Sequence, residues 1–536
     1  MRPLILAALL SAGAAAQQLP YDFRLGRALV DSNASYMIDS LSYAGIASNS
    51  IVDIQTAGDS LIFFGTSRGL SLTPDLGRTF RSYVAATVDL PVGSIAALTV
   101  SDSLVVAAAL RDTTVGSQPL FMGAGLSYST DLGDTWTFLD QPQEPVSSAD
   151  TITISWAGQS VRVLAITTPV ENETYDLDFS LGTIWLVSKT AGLRRYDITA
   201  EAWSLAPLPR DSDITLTCDS IPDGYLIDPT DRDPNDPNND GNLNHRAFSV
   251  IAYDSLVWVG TAAGINKGIV DSASGCISWA HYSFLNDNIS GDFVVALHRQ
   301  TLDGGDRIWA STVEAGSAQR RGLSYTDDGG LSWRTTLKGK WTHNITSFGS
   351  DVYAATDSGL YKSPDGISWA RFKSARDALT GERVYADVAT GVLLDSRDSS
   401  LWVGSPDGLA RTTDGGVTWA VERKFVSTTT EGEERFYAYP NPFQPASDNF
   451  LEGSGHVRFQ YHIASGETNR PAAITIYDFA LDPVVELDPR PHFSTGDFSQ
   501  GWDGRNSAGF QVANGVYYCR LKIGADEYWT KVVVIN

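Results

Sequence analysis

The densest group of potential metal ligands in this 536-residue chain lies in an acidic stretch, residues 228–244. Its second half has the spacing Asp-x-Asn-x-Asp-Gly, and the twelfth position of the loop is alanine rather than glutamate. Ca²⁺ binds about six to eight oxygen atoms, which alternating carboxylate and amide side chains on a tight glycine turn can supply. The spacing predicts a calcium loop. The alternative is an acidic loop extended by self-repulsion. The expected ligands are Asp236, Asn238, Asp240 and Asn244.

Signatures of other catalytic or metal sites are missing from the sequence. The seven histidines are scattered and form no His-Glu-x-x-His pair of the kind that binds zinc. There is no Gly-x-Ser-x-Gly elbow, P-loop or dinucleotide fingerprint. Three cysteines exclude a zinc site with four cysteine ligands.

A pattern that recurs seven times between residues 50 and 425 must position any site. An alternating apolar run ends in Gly-Thr or a similar pair, and Gly-Leu or Gly-Ile follows after a short loop. One such unit cannot bury its apolar face alone, so repeats pack radially. Seven units predict an all-β, seven-bladed β-propeller. For the first unit we expect strands at Ile51–Gln55, Leu61–Gly65, Leu70–Thr73 and Thr79–Val84.

Five of the units carry a second signature after the Gly-Leu pair. It reads Ser129-Thr-Asp-Leu-Gly-Asp-Thr-Trp136 in the second unit. It resembles the Asp-box, or BNR repeat, of sialidases, sortilin-type receptors and related propellers. The cadence is also similar to that of two-component-regulator and photosystem-assembly propellers. The carboxylate can accept turn N–H groups and the glycine allows positive φ, so we predict a structural role. The aspartates concerned are Asp75, Asp131, Asp328, Asp365 and Asp414.

Three long insertions indicate where a ligand would bind. Arg111–Gly123 and Val313–Arg321 follow second strands, and Pro207–His245 joins the third and fourth units. In propellers such loops lie on one face, around the mouth of the central funnel. Long loops on a rigid scaffold commonly carry binding. We expect an unknown protein or glycan ligand on this face, unless these are merely tolerated surface insertions.

The last hundred residues break the pattern. Residues 426–435 read as a linker, and 436–536 contain five or more short predicted strands, which favours an Ig-like β-sandwich. The stretch resembles the C-terminal sorting domain of type IX secretion substrates and the Ig-like domain of flagellar hook-cap proteins. The matching residues include Tyr439-Pro-Asn-Pro-Phe443, Trp502-Asp-Gly504 and Asn514-Gly-Val-Tyr-Tyr518. The resemblance implies that the type IX machinery is a partner of residues 436–536, which would be cut off or used for attachment.

The N-terminus indicates export. Residues 1–16 have the charged, apolar and small-residue regions of a secretory signal peptide, and no later apolar run is long enough to span a membrane. The segment 17–49 is expected to complete the last blade, with a strand at Ala34–Ile38. Cys218 and Cys276 could pair after export, which would leave Cys519 free.

Charge and motif together lead to two functional hypotheses. Lys and Arg total 39 against 63 Asp and Glu, so a nucleic-acid partner is not expected. We favour an exported, cell-surface or secreted binding scaffold. The alternative, implied by the Asp-box resemblance, is a secreted sialidase-like or xyloglucanase-like glycoside hydrolase, which needs a carboxylate pair such as Glu314 and Asp292. The Arg-Ile-Pro strand of sialidases is absent.

Overall fold

The chain forms seven four-stranded antiparallel sheets followed by a two-sheet sandwich. In two of the seven sheets an additional short strand pairs with the outermost strand: Tyr43–Ala44 in the first sheet and Thr215–Leu216 in the fourth. The computed structural model describes residues 43–83, 89–144, 151–222, 225–230, 242–425, 435–445 and 455–536.

Each sheet is one blade, and the strands of a blade follow one another in the chain. Blade one contains β1 (Tyr43–Ala44), β2 (Ile51–Ala57), β3 (Leu61–Thr66), β4 (Gly69–Thr73) and β5 (Arg81–Ser82). Blade two contains β6 (Ser94–Ser101), β7 (Leu104–Val115), β8 (Gln118–Ser129) and β9 (Thr137–Leu139). After the hairpin β10 (Thr151–Trp156) and β11 (Gln159–Leu164), blade three contains β12 (Thr174–Ser180), β13 (Thr183–Ser188), β14 (Gly192–Asp197) and β15 (Ala202–Ala206).

Two short strands, β16 (Thr215–Leu216) and β17 (Leu226–Ile227), precede the remaining blades. Blade four contains β18 (Ala247–Tyr253), β19 (Leu256–Thr261), β20 (Gly264–Val270) and β21 (Ile277–Tyr282). Blade five contains β22 (Phe293–Leu302), β23 (Gly305–Val313), β24 (Gly322–Thr326) and β25 (Arg334–Thr336). Blade six contains β26 (Thr342–Phe348), β27 (Asp351–Thr356), β28 (Gly359–Ser363) and β29 (Ala370–Arg371). Blade seven contains β30 (Gly391–Asp395), β31 (Ser400–Ser405), β32 (Gly408–Thr412) and β33 (Ala420–Glu422).

The blades close into a ring. The first strand of each blade packs against the first strand of the next, from β2 and β6 through to β26 and β30, and β30 packs against β2. The protein is therefore a seven-bladed β-propeller, as the repeats predict, with these first strands innermost. Helices in the described part of the chain are a one-turn α-helix, Phe284–Asp287, and two 3₁₀ turns, Cys218–Ser220 and Leu243–His245.

Ring closure uses hydrogen bonds between the end blades. Among the described residues, β1 pairs with β5 of blade one and none supplies a strand to blade seven. The predicted strand at Ala34–Ile38 lies outside the described residues. Within the described residues, Asn49 makes hydrogen bonds across the seam, the junction between blades one and seven. Its side chain bonds both backbone groups of Lys424, and its carbonyl accepts from the Gly408 amide at 2.7 Å.

Two insertions combine into an accessory sheet beside blades three and four. The hairpin β10–β11 pairs in parallel with β17, although the two segments are about sixty residues apart in the chain. One apolar cluster, which includes Trp156, Tyr225 and Trp185, joins this sheet to blade three. Cys218 and Cys276 form a disulfide with a Cα–Cα distance of 5.9 Å, and Cys519 is free and buried.

The C-terminal sandwich has its own core between two sheets. A three-stranded sheet holds β34 (Phe436–Tyr439), β35 (Val457–Ile463) and β39 (Gly496–Trp502). A five-stranded sheet holds β36 (Pro471–Tyr477), β37 (Pro483–Glu486), β38 (Arg490–Pro491), β40 (Gly515–Ile523) and β41 (Asp526–Val534). Phe459 and Tyr461 of one sheet and Ile474 and Leu521 of the other are fully buried between them.

Candidate functional site: the central channel

The innermost strands surround a cavity of about 350 Å³ at the axis of the propeller. Five of its lining residues occupy one repeated position, directly after a register shift near the start of the inner strand. A β-bulge turns the side chain beside it to a new direction. The bulges therefore determine which side chains line the channel. The five residues are Asp53, Ala97, Asp176, Ala296 and Asn344.

Two channel aspartates connect blade three to blade four. Asp176 accepts a 2.9 Å bond from the Val250 amide, and Asp178 accepts a 2.7 Å bond from the Ala252 amide. These amides lie on the inner edge of β18, where no further strand pairs with them. Unpaired backbone groups need partners when they are removed from water, so the carboxylates stabilise the contact between the blades. Burial nevertheless raises the pKa of Asp178 to about 6 and that of Asp176 well above its ordinary value.

Asp53 connects two blades that are not neighbours. Its carboxylate accepts from the Ile54 amide at 2.7 Å and from the Asn344 side chain of blade six at 3.2 Å. Burial raises the pKa of Asp53 to about 6 despite these bonds. After burial, the negative charge of Asp53 contributes to the raised pKa of Asp176 across the channel.

Two histidines complete the polar lining. His298 lies 2.8 Å from the Ser347 hydroxyl, and the His343 ring packs 5.0 Å from the ring of Trp341. Burial lowers the pKa of both histidines to about 4, so both rings are neutral at pH 7. The channel thus offers neutral imidazoles, an indole and carboxyl groups that change charge near pH 6. This arrangement suits hydrogen bonding to a polar ligand.

The predicted calcium ligands fall largely outside the described residues. Asp236, Asn238 and Asp240 do so, and the structure places only Asn244. Its side-chain oxygen accepts from Thr261 at 2.6 Å and from Asn266 at 2.8 Å, and the residue is fully buried. Asn244 therefore braces blade four. Within the described ranges, no three His, Cys, Asp or Glu side chains are grouped as metal ligands would be.

The two carboxylates considered for hydrolysis are engaged in separate local contacts. Asp292 accepts from the Phe284 amide and from Gln319 at 2.6 Å each. Glu314 forms a two-point ion pair with Arg321, at 2.9 and 3.1 Å. The channel aspartates are the better candidates for acid–base chemistry. Sequence reasoning missed them, although the alternation of Asp176 and Asp178 in a strand was a visible signal.

The five aspartates of the motif that resembles the Asp-box lie in turns between the third and fourth strands of their blades. Asp131 accepts from the Thr135 amide at 2.8 Å and from the hydroxyls of Thr135 and Ser129 at 2.6 and 2.7 Å. The same arrangement recurs at Asp328 and Asp414. These oxygens are used by the turn itself, which fits the structural role that we predict.

No protein-family model and no curated protein matches this chain. Among solved structures it resembles PorZ, described as an essential bacterial surface component of the type IX secretion system of Porphyromonas gingivalis. Identity is 14%, 91% of this chain and 81% of PorZ are covered, and the TM-score is 0.27.

Two further solved structures show comparable similarity. YCF48 from Cyanidioschyzon merolae has 13% identity, covers 69% of this chain and 97% of its own, and gives a TM-score of 0.39. The extracellular domain of BT4673 from B. thetaiotaomicron has 10% identity, covers 93% and 90%, and gives 0.25. The fold assignment rests on the ring of seven sheets.

Helices in the described segments are all too short or too polar to cross a membrane.

Proposed function

We propose that this protein is an exported Asp-box propeller that binds a polar protein or glycan partner at the mouth of its central channel. The observation that carries the proposal is the channel itself, a cavity of about 350 Å³ with an aspartate, imidazole and amide lining. Small-molecule and glycan sites are concave and combine apolar walls with a few placed polar groups. The signal-peptide pattern of residues 1–16 supports export to the cell surface or the medium.

The long loops also favour binding at this face of the propeller. The hairpin of β7 and β8 extends beyond the blade to Val115 and Gln118, and its Gly123 amide bonds to the Pro169 carbonyl of the next connection at 2.9 Å. Both connections belong to the face on which the chain enters the inner strands. A partner that reached the channel would therefore also contact this hairpin.

A glycan array probed with the fluorescently labelled mature protein tests the binding role. We expect binding that Asn344→Ala abolishes, because this residue lies at the repeated bulge and faces Asp53. Leu331→Ala is the matched control, since Leu331 is 90% exposed in the turn between the third and fourth strands of blade five, away from the channel mouth. Pull-down with the two variants tests a protein partner in the same way. Binding that survives Asn344→Ala would contradict the assignment to the channel.

One observation favours a glycoside hydrolase as the second candidate. Asp53 and Asp176 face the same cavity, and burial raises the pKa of both. A carboxyl group that stays protonated near neutral pH can act as the general acid of a glycosidase. Turnover of fluorogenic glycosides that is lost in Asp53→Asn and Asp176→Asn, and kept in Glu201→Gln at an exposed turn, would establish this candidate.

We further propose that residues 436–536 are the sorting domain, recognised by a type IX-like export machinery. The outer side of its five-stranded sheet is the side available for recognition, with Trp529 half exposed and Arg520 close to the rings of Tyr477 and Trp529. In the producing organism, Trp529→Ala and Lys531→Ala should leave a folded protein in the periplasm. Undiminished appearance of these variants outside the cell would refute recognition through this sheet.

The calcium loop remains part of the proposal. Asp236, Asn238 and Asp240 retain the spacing that suits Ca²⁺, and the insertion that contains them leaves from the same propeller face as the channel mouth. Bound Ca²⁺ would neutralise part of this acidic segment.

A further inference from the structure

The outer side of the three-stranded sheet of the sandwich is buried against the propeller. Arg458 and Ser499 point away from the sandwich core, yet they are 0% and 1% exposed. Arg458 forms ion pairs with both carboxylate oxygens of Asp407, in the loop between β31 and β32, and donates to Ser499 at 2.8 Å. A charged side chain is buried only where it is paired and hydrogen-bonded, so this contact is a specific interface between the sandwich and the propeller.

A second contact comes from the connection between blades six and seven. Glu382 accepts from the Ser499 hydroxyl at 2.7 Å and from the Ser499 amide. Tyr385 accepts from the Gly501 amide at 3.0 Å, and its ring stacks on His456 at 4.3 Å. A Cβ atom on Gly501 would lie 2.4 Å from the Tyr385 ring, so the backbone of the sandwich approaches the propeller directly.

The interface charges are balanced within the buried region. Asp407 also pairs with Arg423, the residue after the last strand of blade seven, and Arg423 reaches the Tyr439 hydroxyl of the sandwich. Burial alone would raise the pKa of Asp407, but the two guanidinium groups hold it below its ordinary value. Removal of the sandwich would take one of the two cations from this aspartate.

The residues that the sandwich holds are the neighbours of those that close the ring. Gly408 and Lys424 make the hydrogen bonds to Asn49 at the seam between blades seven and one. Asp407 and Arg423 directly precede them in the chain. Contacts that fix Asp407 and Arg423 therefore also restrict the backbone of Gly408 and Lys424, which bond to Asn49. These bonds are important because, among the described residues, blades one and seven share no strand.

We propose that the C-terminal sandwich is a permanent clasp on the propeller, which holds blade seven against blade one and stays bound when the linker is cut. The proposal does not depend on the export role. An export machinery would then have to recognise the sandwich while it is docked on the propeller, through its five-stranded sheet.

The first test uses the full mature chain with a protease site placed within residues 426–434. After cleavage we expect both pieces to co-elute from a sizing column at about 1 µM protein, because cutting the linker leaves the buried ion pairs and hydrogen bonds of the interface intact. Exchange of the Gly408 and Lys424 amides with deuterium should be the same before and after the cut. Separation of the two pieces in 150 mM salt would overturn the proposal.

The second test weakens the interface in the cut protein. Arg458→Met should release the sandwich and speed amide exchange at Gly408 and Lys424 by about a hundredfold, because it leaves Asp407 short of a partner. Arg520→Met, on the opposite sheet of the same domain, is the matched control and should change neither reading. Release of the sandwich with unchanged exchange at both amides would refute the clasp.

A third variant keeps the test decisive if Arg458→Met does not fold. Gly501→Ala adds only a methyl group at the contact with Tyr385, and Gly515→Ala adds one in the same domain, where the nearest atom lies 3.9 Å away. We expect Gly501→Ala to weaken the association of the cut pieces about tenfold or more, and Gly515→Ala to leave it unchanged. Equal affinity for both variants would contradict the docked geometry.

Discussion

The aspartates of the central channel and those of the outer turns have the same side chain, but their pKa values are shifted in opposite directions. At Asp131 the bonds from Thr135 and Ser129 lower the pKa to about 2, because they stabilise the charged form at an exposed site. At Asp178 the carboxylate also accepts hydrogen bonds, yet burial raises the pKa to about 6. The difference shows that hydrogen bonds from backbone amides only partly replace lost hydration.

The two regions also stabilise the ring differently. Asp176 and Asp178 of the channel contact the neighbouring inner strand through hydrogen bonds to their carboxyl oxygens. The turns reach the preceding blade by close packing, since the glycine of the motif approaches an aromatic ring of that blade: Gly77 meets Trp402, Gly330 meets Tyr282 and Gly366 meets Trp309. The same glycines have positive φ. At each of these positions a Cβ atom would therefore clash with the aromatic ring, and it would also strain a backbone conformation that favours glycine.

The largest expected effect concerns this packing. Gly366→Ala places a Cβ atom 2.7 Å from the Trp309 ring at φ +76°, and should lower the free energy of unfolding by about 2–4 kcal/mol. Gly415→Ala, at φ +71° with no atom within 4 Å, should cost about 1 kcal/mol, from backbone strain alone. Denaturant titration followed by tryptophan fluorescence measures both. Equal losses would show that the ring contact contributes nothing.

The next effect is the pH dependence of the channel. The pKa of Asp178 is 3.8 in its ordinary state and about 6 in the fold, so its contribution is complete below pH 3.8 and is lost as the pH rises through 6. Asp178→Asn cannot ionise. Relative to pH 4, the variant should therefore lose about 1–3 kcal/mol less stability than the wild type at pH 8. Parallel pH profiles for the two proteins would contradict the raised pKa.

The turn aspartates should show the reverse dependence. The lowered pKa of Asp131 means that its contribution is present above pH 3.8 and is lost as the pH falls towards 2. Asp131→Asn should lower the melting temperature by about 1–3 °C at pH 7 and by less at pH 3. Differential scanning fluorimetry at both pH values is sufficient. A larger loss at pH 3 than at pH 7 would reverse the sign of the comparison.

The acidic insertion offers a third environment for aspartate, and the smallest expected effect. If Asp236, Asn238 and Asp240 bind Ca²⁺, millimolar calcium should stabilise the mature protein by about 1 kcal/mol, and Asp240→Ala should remove this gain. Titration calorimetry should show one site that the variant weakens, while Asp228→Ala, outside the Asp-x-Asn-x-Asp-Gly spacing, leaves it intact. Absence of binding heat would favour the acidic-loop alternative.

Local patterns predicted the repeating architecture well. The Gly-Leu pairs and the alternating runs before them gave the blade number, and the structure has strands at all four places expected in the first unit. The hydrogen bonds of the aspartate turns could also be predicted, because they connect residues at most four apart in the chain. Short-range bonds of this kind depend on sequence spacing alone.

Elements held by distant partners were missed. The strand Gly496–Trp502 is rich in glycine and polar residues and has no clear alternating apolar pattern, but it pairs along its length with β35. The hairpin β10–β11 was not predicted at all, and its partner β17 comes from another insertion. In both cases the pairing strand lies too far along the chain for local periodicity to reveal it.

The number of blades and the aspartate turns could be predicted from the sequence, since they depend on residue types at fixed short spacing, and the signal-peptide pattern is of the same local kind. The cavity that Asp53 and Asp176 share, and the ion pair of Arg458 and Asp407 that joins the sandwich to the ring, depend on long-range packing and could not be predicted locally. The tertiary fold brings together blades one and three, and the sandwich and blade seven. Burial and ion pairing then determine the charge states of these residues, which cannot be predicted from their neighbours in the sequence.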